Sequence, residues 1–303
     1  MAYETGQLIE HPKWGRGKIV QVDGDKVRVI FKSEPQPKLI DAARFPLTLA
    51  DNQKDPYFGR IHLPSAPGKG KGKSGGGVKS TVTQAEAKRR FLAKFPLGFQ
   101  DTAYRAAERD YKVKASERWA REMSREQLEP LLAAGEFAEV AQRAMQIEAT
   151  TNLLDVFAKA ALRNASKAEP EAFARGLFEL VCGDGEMPDR FEGFGAMLDS
   201  LPQPKTQTFK WPIQTIFPFL ADPRENLFLK PKVTQLAADR FGFDLQYRPQ
   251  PAWDVYARVL EFARQLSADL AELKPADLID IQSFIWVSGR MEEGEYEGTP
   301  AKA

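Results

Sequence analysis

Carboxylates able to hold a metal ion against a phosphodiester occur in two close pairs, Asp277 with Asp280 and Asp222 with Glu225. Metal-dependent nucleases gather acids in this way so that a divalent cation stabilises charge developing on phosphate. Asp277 and Asp280 lie three apart on a predicted terminal helix and share a face. They also follow Pro275 closely, where acids in a first turn complement the positive end of a helix, and this accounts for them without catalysis. A restriction-type nuclease places its acids and lysine on strands, as an Asp followed by Glu-x-Lys. Glu86-Ala87-Lys88 has the letters but stands at a helix start. A metal-dependent nuclease or nuclease subunit with acids in the helical part is therefore the alternative reading.

Other catalytic chemistry finds fewer residues. Cys182 is the single cysteine, and His11 and His62 are the two histidines, which excludes an internal disulfide and a multi-cysteine zinc site. A nucleophilic thiolate needs a neighbouring base, and both histidines fall in the other half of the chain. Gly183 after Cys182 reads as a helix stop. Gly72-Lys73-Ser74 has the closing letters of a phosphate loop, but the glycine required five residues earlier is Pro67. No catalytic residue, metal ligand or cofactor site is predicted, and a non-catalytic role leads.

Residues suited to binding concentrate near the N-terminus. The stretch His11-Pro12-Lys13-Trp14-Gly15-Arg16-Gly17-Lys18 sets an aromatic among cations, and Arg28 follows on the next strand. Lys13, Trp14, Arg16, Lys18 and Arg28 form the predicted contact surface, with Trp14 as the kind of aromatic anchor enriched at interfaces. Lys69, Lys71 and Lys73 recur in Gly-Lys repeats and suit sequence-independent contact with a phosphate backbone. Residues 1–80 carry fourteen Lys/Arg against eight Asp/Glu, a surplus of six; with 43 and 42 in the whole chain, the rest has a deficit of five. A basic head thus precedes a mildly acidic body, the arrangement expected where the head meets nucleic acid or an acidic protein surface. His11 has no acid or second histidine at suitable spacing and is read as orienting the bend.

The elements that must position these residues follow from periodicity. Two glycines around Arg16 mark a tight bend leading into a strand. Lys18 to Val22 and Lys26 to Phe31 pair around Asp23-Gly24-Asp25, a hairpin turn, with Val27, Val29 and Phe31 inward. Lys38-Leu39-Ile40 adds an edge strand after Pro35 and Pro37. From Thr83 the pattern is helical. Thr83-Gln84-Ala85-Glu86 and Ser124-Arg125-Glu126-Gln127 read as capping boxes. Between them Tyr104, Ala107, Tyr111, Ala115 and Trp119 make one buried face, and the charges from Arg105 to Glu122, Glu108 and Lys112 included, a solvated one. Helices are expected at 137–147, 153–162, 171–182, 191–201, 231–241, 253–273 and 275–287. The proline- and aromatic-rich run from Lys205 to Pro231 is expected to hold short helices and turns. Glu292, Glu293, Glu295 and Glu297 end the chain as a frayed acidic tail.

The residues Gly6 to Val20, the hairpin, Val29-Ile30-Phe31 and Lys38-Leu39-Ile40 together resemble the Tudor-like module at the C-terminus of UvrD/PcrA-type helicases. They are also similar to the RNA-polymerase-interacting domain of CarD-type regulators and the transcription-repair coupling factor. The shared pattern is a hydrophobic pair, His-Pro, an aromatic, Gly-x-Gly, a strand, a turn and a Val-x-Phe strand, and it covers about 45 residues. The resemblance implies a docking module for RNA polymerase, a helicase-type protein or nucleic acid, and no catalysis. The expected architecture is mixed and mainly α: an SH3/Tudor-like β-barrel over 1–63, a flexible Gly/Lys-rich linker over 64–80, an α-helical domain over 81–290 and the tail 291–303. No apolar run approaches the length of about 20 residues that spans a membrane, and Met-Ala-Tyr-Glu-Thr lacks the marks of a signal peptide. A cytoplasmic adaptor in nucleic-acid metabolism is the expectation.

Overall fold

The computed structural model describes residues 3–4, 6–23, 26–31, 38–45, 47–53, 58, 80–201, 208–292 and 294. The chain is mainly helical with a small curled antiparallel sheet in its N-terminal region, and it divides into two compact units, Met1–Ser74 and Gly75–Ala303.

Among the described residues five strands build the first unit: β1 (Leu8–His11), β2 (Gly15–Asp23), β3 (Lys26–Phe31), β4 (Lys38–Asp41) and β5 (Thr48–Leu49), in spatial order β4-β3-β2-β1-β5. Period-2 alternation sets the inner face: Val27, Val29 and Phe31 are fully buried while Lys26 and Arg28 are exposed. Ile9, Ile19 and Ile40 join them. The register shifts between Ile19 and Gln21, and such a bulge raises the local twist that curls a sheet. Leu8, alternate to Ile9, packs on the other face with Ala50 and Phe58. Gln53 fastens this edge, its Oε1 accepting from Leu8 N–H (2.8 Å) and its Nε2 donating to the Leu8 and Ala50 carbonyls (2.9 and 2.7 Å). The turn Gly24-Asp25, Pro35, Pro37, His62, the linker from 64 to 79 with its Gly72-Lys73-Ser74 motif, and Glu293, Glu295 and Glu297 lie outside the described residues.

The second unit contains α1 (Gln84–Lys94), α2 (Asp110–Glu122), α3 (Arg125–Ala133), α4 (Phe137–Ala149), α5 (Val156–Ala168), α6 (Pro170–Cys182), α7 (Met187–Ser200), α8 (Trp211–Ala221), α9 (Pro231–Arg240), α10 (Trp253–Asp269) and α11 (Leu278–Glu292). Thr83 caps α1 as its sequence signature requires, its hydroxyl accepting from Glu86 N–H at 3.2 Å. Glu86 does not return the bond; its carboxylate binds Arg89 and Arg90 instead. Ser124 stands at the N-cap of α3 with extended backbone, but its hydroxyl makes no capping bond.

Three expectations need correction. The first concerns the face leading into α2. A π-helical turn over Arg105–Arg109, in which Asp110 N–H reaches back five residues to the Arg105 carbonyl, precedes α2. The extra residue per turn rotates the buried face, so Tyr104 is followed inward by Glu108 and Lys112 rather than by Ala107 and Tyr111. Lys112 and Glu108 therefore do not belong to a solvated face.

Second, the run expected to hold short helices and turns contains a helix of three full turns, Trp211–Ala221, with a proline inside it. Pro212 sits in its first turn, where a missing N–H is harmless. Pro218 lies inside, and burial on all sides outweighs its lost bond: Trp211, Ile213, Ile216, Phe217, Phe219 and Leu220 are all at or below 1% exposure. The helix takes part in both large cores. Trp211 packs with Phe191 and Tyr247, Phe217 with Trp119, Phe173 and Phe194. Thr215 ties it to the next segment, donating to the Trp211 carbonyl at 2.8 Å and accepting from Leu229 N–H at 3.0 Å.

Third, Glu292 is no part of a frayed tail. It ends α11 and accepts from Thr81 N–H (2.6 Å) and Ser80 Oγ (2.9 Å), while the Arg240 guanidinium binds it from α9. Ser80, expected in the linker, is thereby fixed to the helical body, and its N–H donates to Asp239 at 2.9 Å. Burial pushes the Glu292 carboxyl up, but the bonds from Thr81, Arg240 and Ser80 outweigh this and hold it below its ordinary value.

Candidate docking surface

The bend that opens β2 is held by its own side chains. Lys13 N–H donates to His11 Nδ1 at 3.1 Å, so the imidazole orients the turn. The His11 ring stacks on Trp14 with centroids 4.3 Å apart and planes 23° apart, and Phe31 lies 5.4 Å from Trp14 and 5.7 Å from His11. Trp14 is consequently half-buried, one side resting on the core.

Two glycines permit this packing for different reasons. Gly15 has φ +68°, a left-handed conformation that an L side chain resists, and the space around it is open. Gly17 faces a wall: a Cβ there would stand 2.6 Å from Phe31 Cδ1 and from Val29 Cγ1. The first glycine turns the chain and the second lets the β2 backbone lie flat on the core.

Cations surround the ring that results. Lys13 Nζ lies 5.5 Å and Lys38 Nζ 5.9 Å from the Trp14 centroid, within the range of cation–π attraction. Lys38 pairs with Val29 across β4 and β3, which places it on the inner side of the sheet at the rim. Sequence reasoning read it only as a strand residue. The signal was its position two residues before buried Ile40, and so on the same face of the strand, which becomes informative once Val29 is known to be its neighbour.

The remaining predicted contacts do not join this group. Arg16 faces the opposite side, where it bonds Glu10 at 2.7 Å. Lys18 Nζ donates to the Phe58 carbonyl at 2.8 Å, and burial lowers its pKa. Arg28, opposite Gln21 and Leu39 in the register, is exposed. One expected surface is thus two: Lys13, Trp14 and Lys38 on the rim, and Arg16, Lys18 and Arg28 on the outer face. Lys69, Lys71 and Lys73 lie outside the described residues.

Three of the four carboxylates considered for metal binding, Asp277, Asp280 and Asp222, are engaged by neighbouring groups. Arg109 holds Asp277 with two parallel bonds of 2.8 and 2.7 Å and reaches Asp280 Oδ1 at 2.9 Å. Asp280 also accepts from Tyr104 Oη (2.6 Å) and Ala276 N–H (2.8 Å), and Asp277 from Ile279 N–H (2.9 Å), so both organise the start of α11. Burial next to the Asp280 carboxylate pushes the Tyr104 hydroxyl well above its ordinary pKa. Asp222 accepts from Arg224. Among the described residues no three His, Cys, Asp or Glu side chains gather as a metal-ligand set. The Cys182 thiol is pushed up by burial, away from the thiolate a nucleophile needs. No described helix is long and apolar enough to cross a membrane.

No protein-family model, curated protein or solved structure matches the chain.

Proposed function

We propose that the protein is a non-catalytic adaptor in nucleic-acid metabolism, whose N-terminal sheet is a module of the SH3/Tudor-like kind. The sheet docks on nucleic acid, or on a nucleic-acid-processing machine such as RNA polymerase or a helicase. The observation that supports this reading is the half-exposed Trp14 ring with Lys13 and Lys38 over it. An aromatic surface fringed by cations suits stacked bases between phosphates, or an apolar pocket rimmed by acids.

Ionic strength separates the two partners. Contacts to phosphate release counterions and weaken steeply with salt, whereas a protein pocket filled by an indole keeps most of its affinity. The test measures capture of labelled single- and double-stranded nucleic acid, and of purified RNA polymerase, by the full chain at rising salt. A Trp14→Ala/Lys38→Gln variant is expected to weaken the productive interaction at least about tenfold, which corresponds to about 1.4 kcal/mol, while Arg28→Gln on the outer face leaves it within about twofold. Equal affinity of the rim variant and the parent for every partner would overturn the reading.

A further inference from the structure

A cavity of about 720 Å³ opens in the helical body where the end of α6, the start of α7, the end of α8 and one side of α10 meet. Its size falls in the range of roughly 300–1,000 Å³ typical of small-ligand sites. One wall is a stripe of α10: Trp253, Ala257, Leu260, Glu261 and Arg264 recur at helical spacing. At about 1.5 Å per residue that stripe is about 16 Å long. Leu180 from α6 and Met187 from α7 also line the space.

The polar groups of this lining are incompletely bonded. Arg190, near the start of α7, donates through Nη1 to the Leu180 carbonyl at 3.2 Å. A guanidinium has five N–H donors, and the others of Arg190 meet no acceptor among the described residues; its Nε is also closed to solvent. The Glu225 and Glu261 carboxylates and the Arg264 guanidinium make no hydrogen bond or ion pair to any described residue. Trp253 packs on Phe191 and Tyr256, with centroids 5.6 and 5.9 Å away. Its indole N–H has no acceptor among the described residues, whereas that of Trp211 donates to the Arg248 carbonyl at 2.7 Å.

Charges of both signs thus border one apolar space. A ligand of a single sign would be repelled by the carboxylates or by the guanidiniums. A zwitterion with an apolar body meets a partner for each of its parts. Extended backbone advances about 3.3 Å per residue, so a stripe of about 16 Å matches a peptide of about three to five residues.

We infer that this cavity binds a short apolar peptide with free termini. Arg190 receives the carboxylate, Glu225 and Glu261 receive the ammonium, and Leu180, Met187 and Leu260 hold the side chains. The Trp253 N–H serves a peptide carbonyl. Arg264 and Asp222, the latter already held by Arg224, set the lining against ligands that carry one sign of charge.

The test titrates trileucine into the full chain by calorimetry, beside its N-acetylated form, its C-terminal amide and triglycine. Trileucine is expected to bind with a Kd at or below about 1 mM and to raise the melting temperature, as a ligand selective for the folded state does. Acetylation and amidation each weaken it at least about tenfold, and triglycine does not bind. Arg190→Gln weakens trileucine at least about tenfold but changes the affinity of the amide by less than about twofold; Glu225→Gln/Glu261→Gln does the same for trileucine against the acetylated form. A purely structural defect would weaken every peptide alike. Ala257→Phe fills the cavity from α10 and abolishes binding, which keeps the site testable if Arg190→Gln, deprived of its bond to Leu180, melts early. Absence of binding at millimolar trileucine overturns the site, as does equal affinity for trileucine and its two capped forms, or undiminished binding by the folded Ala257→Phe chain.

Discussion

Glu108 Oε2 and Lys112 Nζ face each other across 3.7 Å inside the helical body, with both side chains closed to solvent. Lys112 also donates to Gln282 Oε1 (2.7 Å) and Ser283 Oγ (2.8 Å) on α11. The π-helical turn before α2 is what rotates this pair inward, and the hydrogen bonds to α11 are what make an interior ammonium tolerable.

Removing one partner should therefore cost far more than removing both. Lys112→Met leaves a buried carboxylate and is expected to destabilise by about 3–5 kcal/mol. Glu108→Gln/Lys112→Met is expected to recover at least about half of that loss. Urea midpoints for the parent, both single variants and the double variant close the cycle; additive losses would show that the two groups do not interact.

The same lysine predicts how stability varies with pH. Burial lowers the Lys112 ammonium from 10.5 to about 8, against the pull of Glu108 and Asp280. Between those values the unfolded chain carries a proton that the folded protein has released, so stability rises with pH through this window and is flat below it. From pH 8 to 9.5 the rise should reach about 2 kcal/mol, at about 1.4 kcal/mol per pKa unit. Tyr104 works in the opposite direction only above pH 10, its ordinary value, because its folded pKa is raised. A urea midpoint that climbs more steeply across pH 8–9.5 in the parent than in Lys112→Met is expected; parallel curves would refute it.

At the bend the two glycines should separate cleanly. Gly15→Asn keeps the left-handed turn that asparagine tolerates and changes stability by less than about 1 kcal/mol. Gly17→Ala forces a methyl against Phe31 and Val29, at about 1–3 kcal/mol. Hydrogen exchange of the Val27, Val29 and Phe31 amides reports both, and equal protection in the two variants would contradict the assignment.

Much of the fold was legible in the sequence where one local rule acted alone. Val27, Val29 and Phe31 alternate because one face of β3 is buried, and Thr83 caps α1 because a free hydroxyl next to a helix start has one good use. Legibility failed where a tertiary contact overruled a local preference. Nothing in the spacing of Tyr104, Ala107 and Tyr111 announces a five-residue turn; the reason for it is across the core, on Gln282 and Ser283. Pro218 argues against helix locally and is outvoted by two cores. At the docking surface Trp14 and Lys13 were visible as types, whereas Lys38 joined them through strand pairing, and Arg16 and Lys18 left them for the same reason.

Ser80 and Glu292, 212 positions apart in sequence, meet at a single carboxylate. The helical body thus has one doorway through which its backbone both enters and leaves. Tension between residues 80 and 292 would act directly on that contact. A unit with coincident ends can also be spliced into a surface turn of another protein without prying its host apart.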